Sequence, residues 1–340
     1  MKKSTKKTKR LQQWTASLEW PSAAVACLML WIITPVPHAA ASEDTPRKPF
    51  AEWAEVPAQY QLLFGIYYEQ SEAYHIWAGT QRHDISIHTP DGESYGIDIR
   101  QGYFALDYGL TERWAADLEL GASTVGWRSF DHGARIVQTT GMMDPTFGVR
   151  YQIFNEAKEI SWWMPTLTFR AGGILPGAYD RLVAFAPGNH SAAIEPSLLL
   201  RKHFGWEGLG LWGDVLYRWM HTNGNDQYIA ALGLFQQIGR WELDVGYRHL
   251  QATSGEDIVL IPPATGTPPP WSGIVYKADV REISESIDAG FSYTTARRQW
   301  RWGFHGRKTF EGRNTDSKFW LGGSVQIPFD HLFGRSDTNL

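Results

Sequence analysis

The sequence contains only one cysteine, Cys27, among its 340 residues. Cys27 lies in the apolar run 23–36, which follows a lysine-rich start and precedes Ala39 and Ala41 in the small-residue spacing that signal peptidase accepts. This pattern predicts a cleaved signal peptide over residues 1–41. The mature chain would contain no cysteine, which excludes disulfides, zinc–thiolate sites and cysteine nucleophiles.

Long hydrophobic runs are also lacking. The run 23–36 is about 14 residues long, whereas a transmembrane helix needs about 20, so a membrane anchor is the less favoured alternative to a signal peptide. A lipid-modified Cys27 is disfavoured too, because Ala24 replaces the leucine expected at the start of a lipoprotein box. No later run is long enough for a membrane helix.

The chain has no block of like charges. Residues 1–41 hold six basic residues and one acid, so their removal lowers the formal charge from −4 to −9. A mildly acidic, exported chain with dispersed charges is not expected to bind nucleic acid. Tryptophan and glycine are abundant, with 17 and 33 residues. Together with the lack of a membrane helix, they favour an aromatic-girdled β-barrel.

Alternating apolar and polar residues recur along the chain in stretches of about ten residues, the length of a tilted membrane strand. We predict an all-β, transmembrane antiparallel barrel of about twelve strands, with 10 to 14 possible, over residues 60–329. An irregular segment, 42–59, precedes it and a tail, 330–340, follows it. The predicted strands lie near 60–70, 95–108, 114–125, 145–154, 161–172, 192–202, 209–221, 228–237, 241–250, 283–294, 300–310 and 318–329.

The connections between these stretches alternate between short and long. Links such as 109–113 and 238–240 are short, whereas 71–94 and 251–282 are long, and 311–317 is among the shortest of the long set. An outer-membrane barrel shows this alternation, because its periplasmic turns are tight and its external loops are larger. A soluble sandwich does not require it. The proline-rich stretch "IPPATGTPPPW" at 261–271 cannot continue a strand ladder.

The stretch "GRWELDVGYRHL" at 239–250 shows the two faces of such a strand. In a membrane barrel, Leu243, Val245 and Tyr247 would meet lipid, and the charged residues between them would face the lumen. The same parity in the other strands gives the candidate lumen-lining residues Asp117, Glu119, Arg150, Arg170, Glu195, Asp214, Arg218, Glu242, Asp244, Arg248, Asp288, Arg301, His305 and Arg307. Acids and arginines are balanced, which favours cross-strand ion pairs over an ion-selective pore.

The second predicted strand does not follow one parity. Ile97 and Ile99 fall on one face, and Phe104 and Leu106 on the other. A β-bulge near residues 101–102 would reconcile them. With that bulge, Asp98 and Arg100 would also face the lumen.

Several segments resemble a known family. They are "GYFALDYGLTERWAADLELGAS", "MMDPTFGVRYQIF", "PTLTFRAGGILPGAY" and "GRWELDVGYRH". They are similar to the outer-membrane proteins named for the meta-pathway of phenol degradation, over roughly residues 60–329. The resemblance implies a barrel and a transporter or channel, and specifies architecture better than substrate. Long-chain fatty-acid channels carry an N-terminal plug domain; about 18 residues precede the first strand here, too few for such a domain.

The sequence shows no catalytic motif. No histidine has serine two positions later, the arrangement used by outer-membrane phospholipase, so a lipid hydrolase is the second alternative only. The Asn/Asp loop at 223–226 is too short for a calcium site, and the loop histidines His75, His83 and His88 are loosely spaced. We therefore expect no metal and no cofactor.

The leading hypothesis is passive passage of small hydrophobic or aromatic compounds through an outer-membrane barrel in contact with lipid. The first alternative is a structural or sensing barrel with a filled lumen.

Overall fold

The computed structural model describes part of one compact unit of the chain, His38–Leu340. The described residues are 52–84, 87–88, 94–129, 135–158, 163–179, 188–205, 208–221, 224–258, 280–297 and 299–329. The predicted signal peptide 1–41, residues 42–51 of the N-terminal segment, the proline-rich stretch 261–271 and the tail 330–340 lie outside them, as does the side chain of His88.

Twelve antiparallel strands form a closed barrel, as the sequence predicts. Each strand pairs with its neighbour along the chain, and the last strand, Asp316–Phe329, pairs with the first, Leu62–Ala78. Among the described residues, no helix has the length and hydropathy to cross a bilayer. The strands of the barrel are β1 (Leu62–Ala78), β5 (Ile97–Gly109), β6 (Trp114–Ser129), β8 (Thr146–Phe154), β9 (Thr166–Ile174), β10 (Ala193–His203), β11 (Leu209–Met220), β12 (Gln227–Ile238), β13 (Trp241–Ala252), β14 (Ile283–Thr294), β15 (Arg301–Arg313) and β16 (Asp316–Phe329).

Two further strands extend the barrel sheet at one end, and two more form a separate pair in a link at that end. β2 (Gln81–Asp84) pairs with β1, β7 (Arg135–Met142) pairs with the second half of β6, and β3 (Ile87–His88) pairs with β4 (Ser94–Tyr95). We call this the long-loop end, because it carries the links 79–96, 130–145, 175–192 and 253–282. The opposite, short-turn end carries 110–113, 204–208 and 239–240. The last link of the long-loop end is shorter than the predicted 311–317, because β15 and β16 continue until only residues 314–315 separate them.

Period-2 alternation places apolar side chains on the outside of the barrel. In β13, Val245 is 51 % exposed on the outer face, whereas Glu242, which has the opposite parity, is 1 % exposed on the inner face. Exposed aromatic side chains collect where strands begin or end, which is the position of an interfacial girdle. At the short-turn end these are Trp114, Trp163, Trp241, Trp302 and Phe329.

The predicted bulge in β5 is wrong. β5 pairs with β1 from Ile97 to Tyr108 and with β6 from Asp98 to Gly109 without a shift of register. Asp98 and Arg100 therefore share the outer face with Phe104, and the side chain of Arg100 is 57 % exposed. The physical reason is that β1 and β5 continue past the apolar belt at the long-loop end. There, outward side chains meet water, and Arg100 Nε lies 2.9 Å from Asp98 Oδ2.

Candidate functional site: the barrel lumen

The inner face of the barrel carries charged side chains on most of its strands. Residues that lie opposite each other in paired antiparallel strands share a face, so the pairing of a candidate residue fixes its orientation. The sequence-predicted candidates all take the inward parity: Asp117, Glu119, Arg150, Arg170, Glu195, Asp214, Arg218, Glu242, Asp244, Arg248, Asp288, Arg301, His305 and Arg307.

Arg170 of β9 forms the centre of one ion-pair chain. Its Nη2 lies 2.7 Å from Asp117 Oδ1 on β6, and its Nη1 lies 3.2 Å from Glu195 Oε1 on β10. Glu195 Oε2 in turn lies 2.7 Å from Arg218 Nη2 on β11. Four strands are thus joined across their side chains on the inner face of the barrel. Bidentate guanidinium–carboxylate contacts are the geometry for which arginine is better suited than lysine.

Two glycines make room for the Arg170 side chain. Gly148 of β8 lies directly opposite Gly172 of β9. A Cβ at Gly148 would lie 2.6 Å from Arg170 Nε, and a Cβ at Gly172 would overlap Nη1. Gly148 in "FGVRY" and Gly172 in "FRAGG" are therefore required by the close approach of a buried side chain.

Arg150 of β8 connects the barrel wall to the chain before β1. Its side chain and that of Asp107 on β5 are both fully buried, and the two form an ion pair. Arg150 Nη1 also donates hydrogen bonds to the carbonyl oxygens of Trp53 and Glu55, each at 2.9 Å. Asp107 was not among the sequence-predicted candidates.

A second ion-pair chain lies on β11, β13, β14 and β15. Arg248 Nη2 lies 3.6 Å from Asp214 Oδ2, and Arg248 Nε lies 3.4 Å from Asp288 Oδ2. Asp288 Oδ1 lies 2.5 Å from Arg307 Nε. The charged face of the stretch 239–250 is thus bound to its neighbours.

Arg201 of β10 occupies a mixed environment between a carboxylate and an aromatic ring. Its Nη2 lies 3.0 Å from Glu242 Oε2, and its Cζ lies 4.1 Å from the ring centroid of Phe235. This distance permits a cation–π interaction, which is stronger where water is excluded.

Glu69 of β1 is a further inward acid that the sequence did not indicate, because the first predicted strand is apolar on both parities. Its carboxylate lies 2.8 Å from His305 Nε2. It also accepts hydrogen bonds from the Tyr103 hydroxyl at 3.0 Å and from Gln101 Nε2 at 2.6 Å. These contacts join β1 to its neighbour β5 and, across β16, to β15.

Residues 52–55, which belong to no strand, lie inside the barrel. Glu52 Oε2 lies 2.9 Å from Arg248 Nη2 on β13, and Glu55 Oε1 lies 3.1 Å from Arg201 Nε on β10. The Ala54 carbonyl accepts a hydrogen bond from the Thr168 hydroxyl on β9. A segment that reaches inward side chains of strands around the barrel must lie in the lumen. A folded plug domain is not needed for this, because four residues span the distance between the inward arginines.

Trp53 packs against aromatic side chains of the opposite wall. It forms a buried cluster with Tyr67, Tyr103 and Ala105, and Leu63 lies against this cluster. The rings of Tyr67 and Tyr103 are stacked, with centroids 4.8 Å apart and planes within 7°. Trp53 therefore anchors the segment to β1 and β5 while its neighbours bind arginines of β10 and β13.

Part of the lumen wall is apolar. Trp212 of β11 and Phe235 of β12 are buried together with Ala231, and Leu216 and Ile229 are buried nearby on the same inward parity. A second inward apolar cluster, at the long-loop end of β1, β5 and β6, consists of Ala73, Ile97, Ile99 and Val125. The alternation in the sequence predicts that apolar residues face lipid, so these inward apolar residues were not predicted.

Two carboxylates organise the long-loop end. Asp144 accepts hydrogen bonds from the Gly177 amide at 2.7 Å and from the Tyr179 hydroxyl at 2.8 Å, and also from the Asn189 and His190 amides. Burial and the adjacent Asp144 carboxylate raise the pKa of Tyr179 well above its ordinary value. Asp144 thus connects the two described parts of the link 175–192 to the chain just before β8.

Asp257 joins the link after β13 to the β15–β16 hairpin. Its Oδ2 lies 2.5 Å from Arg313 Nη2, and its Oδ1 accepts a hydrogen bond from Asn314 Nδ2 at 2.7 Å. The hydrogen bonds from Arg313 and Asn314 lower the pKa of Asp257 to about 2. Within the described residues, no group of three or more His, Cys, Asp or Glu side chains is arranged to hold a metal ion.

No protein-family model and no curated protein matches the sequence, so the resemblance to the phenol meta-pathway family stays a prediction. Among solved structures, the chain is similar to the COG4313 outer membrane channel from Pseudomonas putida F1. The TM-score is 0.59 at 15 % identity, and the match covers 84 % of this chain and 100 % of that chain. The CymD monoaromatic hydrocarbon channel matches with a TM-score of 0.40 at 11 % identity, over 80 % of this chain and 90 % of that chain. The KdgM porin matches with a TM-score of 0.38 at 9 % identity, over 78 % and 99 % of the two chains. The first similarity shows that this chain has the fold of an outer-membrane barrel.

Proposed function

We propose that the protein is an outer-membrane channel through which small hydrophobic or aromatic compounds pass without energy input. The proposal includes export by a cleaved signal peptide and insertion through the exposed apolar belt, with the short-turn end on the periplasmic side. The observation that carries it is the segment 52–55, which occupies the lumen without pairing to any strand. It is held by side-chain contacts, so it can leave while the twelve-strand ladder stays closed.

The inward apolar surfaces support the proposed class of solute. A lumen filled only by ion pairs has no need for large buried apolar side chains such as Trp212 and Phe235 on its wall. These side chains offer a solute apolar contact beside the charged chain centred on Arg170. Small-molecule sites generally combine apolar walls with a few placed polar groups. No reaction is proposed.

Single-channel recording in planar bilayers tests the channel function. We expect current steps from the full chain, and larger steps from a variant in which residues 52–55 are replaced by Gly-Ser-Gly-Ser, because the lumen is then wider. Glu112→Gln serves as the matched control, since Glu112 lies in an exposed turn and pairs only with Lys158 among the described contacts. Its steps should equal those of the unmodified chain. Absence of current from both the full chain and the 52–55 variant, with no liposome swelling in small neutral solutes, would refute the proposal.

A structural or sensing barrel with a filled lumen is the second candidate function. It is favoured by the burial of the ion-pair chains: Arg150 and Asp107 are fully buried, as expected for a sealed interior. This function predicts no conductance from either the full chain or the 52–55 variant. The same recording therefore distinguishes the two candidates.

A further inference from the structure

We propose that the lumen wall contacted by residues 52–55 is a binding site for a small aromatic carboxylate, and that this segment occupies the site as an internal mimic of the ligand. The inference rests on the proposed channel function, since the ligand must enter the lumen. It adds a ligand class and names the residues that would bind it.

The first part of the site is aromatic. Trp53 inserts its ring beside the stacked rings of Tyr67 and Tyr103, with Leu63 and Ala105 completing the pocket. All four wall residues belong to β1 and β5, so the pocket stays in place when Trp53 leaves. Stacked or edge-to-face contacts with such a pocket suit a flat ring.

The second part of the site binds carboxylates. Arg248 and Arg201 each contact a carboxylate of the segment, Glu52 at 2.9 Å and Glu55 at 3.1 Å. Arg150 binds no carboxylate of the segment; it donates instead to two of its carbonyl oxygens at 2.9 Å. The wall therefore presents three guanidinium groups to the segment from three different strands.

The segment presents an acidic and an aromatic group from adjacent residues, Glu52 and Trp53. The ligand class that carries the same two groups in one small molecule is an aromatic ring joined to a carboxylate by a short aliphatic chain.

Charge explains why the ligand should be acidic. Arg248 and Arg201 keep partners on the wall, Asp214, Asp288 and Glu242, when the segment leaves. However, Arg248 loses the acceptor of the hydrogen bond from its Nη2, and Arg201 loses the carboxylate that lies 3.1 Å from its Nε. A buried donor without an acceptor is costly. A ligand carboxylate restores that acceptor, whereas a neutral aromatic compound of the same shape does not.

Binding measurements in detergent micelles test the inference. The probe is 3-phenylpropanoate, compared with the neutral 3-phenylpropanamide and the ring-free propanoate, by isothermal titration calorimetry. The variant Glu52→Gln, Trp53→Gly, Glu55→Gln weakens the internal competitor, and we expect it to bind 3-phenylpropanoate at least about tenfold more tightly than the full chain. Glu112→Gln corrects for probe uptake by the micelles and should bind like the full chain. Heat-modifiable gel mobility establishes that each variant is folded.

The three probes decide the outcome. We expect the amide and propanoate to bind the triple variant at least about tenfold more weakly than 3-phenylpropanoate, because each lacks one of the two groups. Adding Arg248→Gln should reduce the preference for acid over amide by about tenfold. Equal binding of the acid and the amide, or no binding of the acid, overturns the inference. The comparison of the three probes gives this result even if the Arg248→Gln variant does not fold. Ion conductance without binding of 3-phenylpropanoate would leave the channel function intact and rule out this site. Binding without conductance would support the site and rule out the channel function.

Discussion

Replacement of Arg170 by methionine measures what the buried ion pairs contribute to the barrel. Arg170 is 1 % exposed, and its guanidinium contacts Asp117 through both Nε and Nη2, at 3.1 and 2.7 Å. Methionine has a similar length and no charge. After the substitution, Glu195 keeps Arg218 at 2.7 Å, but the nearest remaining cation to Asp117 is Arg150, whose Nε lies 3.9 Å away.

The magnitude follows from which carboxylate loses its partner. Removing one member of a buried ion pair costs about 3–5 kcal/mol, because the other charge stays buried and uncompensated. Asp117 alone approaches this state, because it keeps only the longer contact with Arg150, so we expect a loss in the lower part of this range, about 3–4 kcal/mol in the free energy of unfolding. The same substitution at an exposed pair costs less than about 1 kcal/mol. Arg100→Met is that control, since Arg100 pairs with Asp98 on the outer surface.

Urea-induced unfolding in phospholipid vesicles, followed by tryptophan fluorescence, gives these free energies. The double variant Asp117→Asn, Arg170→Met removes the uncompensated charge and should recover most of the loss. A loss of less than about 1 kcal/mol for Arg170→Met would refute the assignment of a dry, structural ion pair. A double variant that is no more stable than Arg170→Met would show that volume, and not charge, determines the effect.

Three further outcomes are expected. Gly172→Ala should destabilise the barrel in the same urea assay by about 1–3 kcal/mol, because the added methyl group overlaps the Arg170 guanidinium. When Arg170 is already replaced by methionine, Gly172→Ala should destabilise the barrel less. Val245→Arg places a charge on the lipid face and should cost about 2–4 kcal/mol in vesicles, a loss that is absent if this face does not meet lipid. The Asp257–Arg313 contact depends on pH: the pKa of Asp257 is lowered from 3.8 to about 2, so its contribution is complete above about pH 4 and is lost as the pH falls through 2. Proteolysis of the link 253–282 should therefore increase between pH 4 and pH 2 with an acid-active protease, and Asp257→Asn should remove this dependence.

The strands and most inward charges could be predicted because both follow from period 2. The stretch 239–250 shows this: Trp241, Leu243 and Val245 are exposed on the outside, and Glu242 and Arg248 are buried on the inside. However, alternation shows only that successive side chains point to opposite faces, and does not show which of the two faces is the lumen. In β5 the outward Asp98 and Arg100 lie beyond the apolar belt, and their charge was mistaken for a sign of the lumen.

The occupied lumen could not be predicted from periodicity. Residues 52–55 have no regular pattern, and the polar partners named above lie between 95 and 196 positions away in sequence. The inward apolar residues were missed for a related reason: an apolar side chain suits either lipid or the interior of a filled barrel. Glu69 and Asp107 lie in the two strands with the least regular alternation, where parity gave no assignment.

Closure of the barrel between β1 and β16 has a consequence for how the chain folds. The pair Leu62–Phe329 joins positions 267 residues apart, so the contact that completes the cylinder is also among the most distant in sequence. Folding slows as contacts become less local. Until β16 is in place, one edge of β1 has no partner, and an unpaired edge is a site of aggregation. A chain truncated before Asp316 should therefore accumulate as aggregate and not as a smaller barrel.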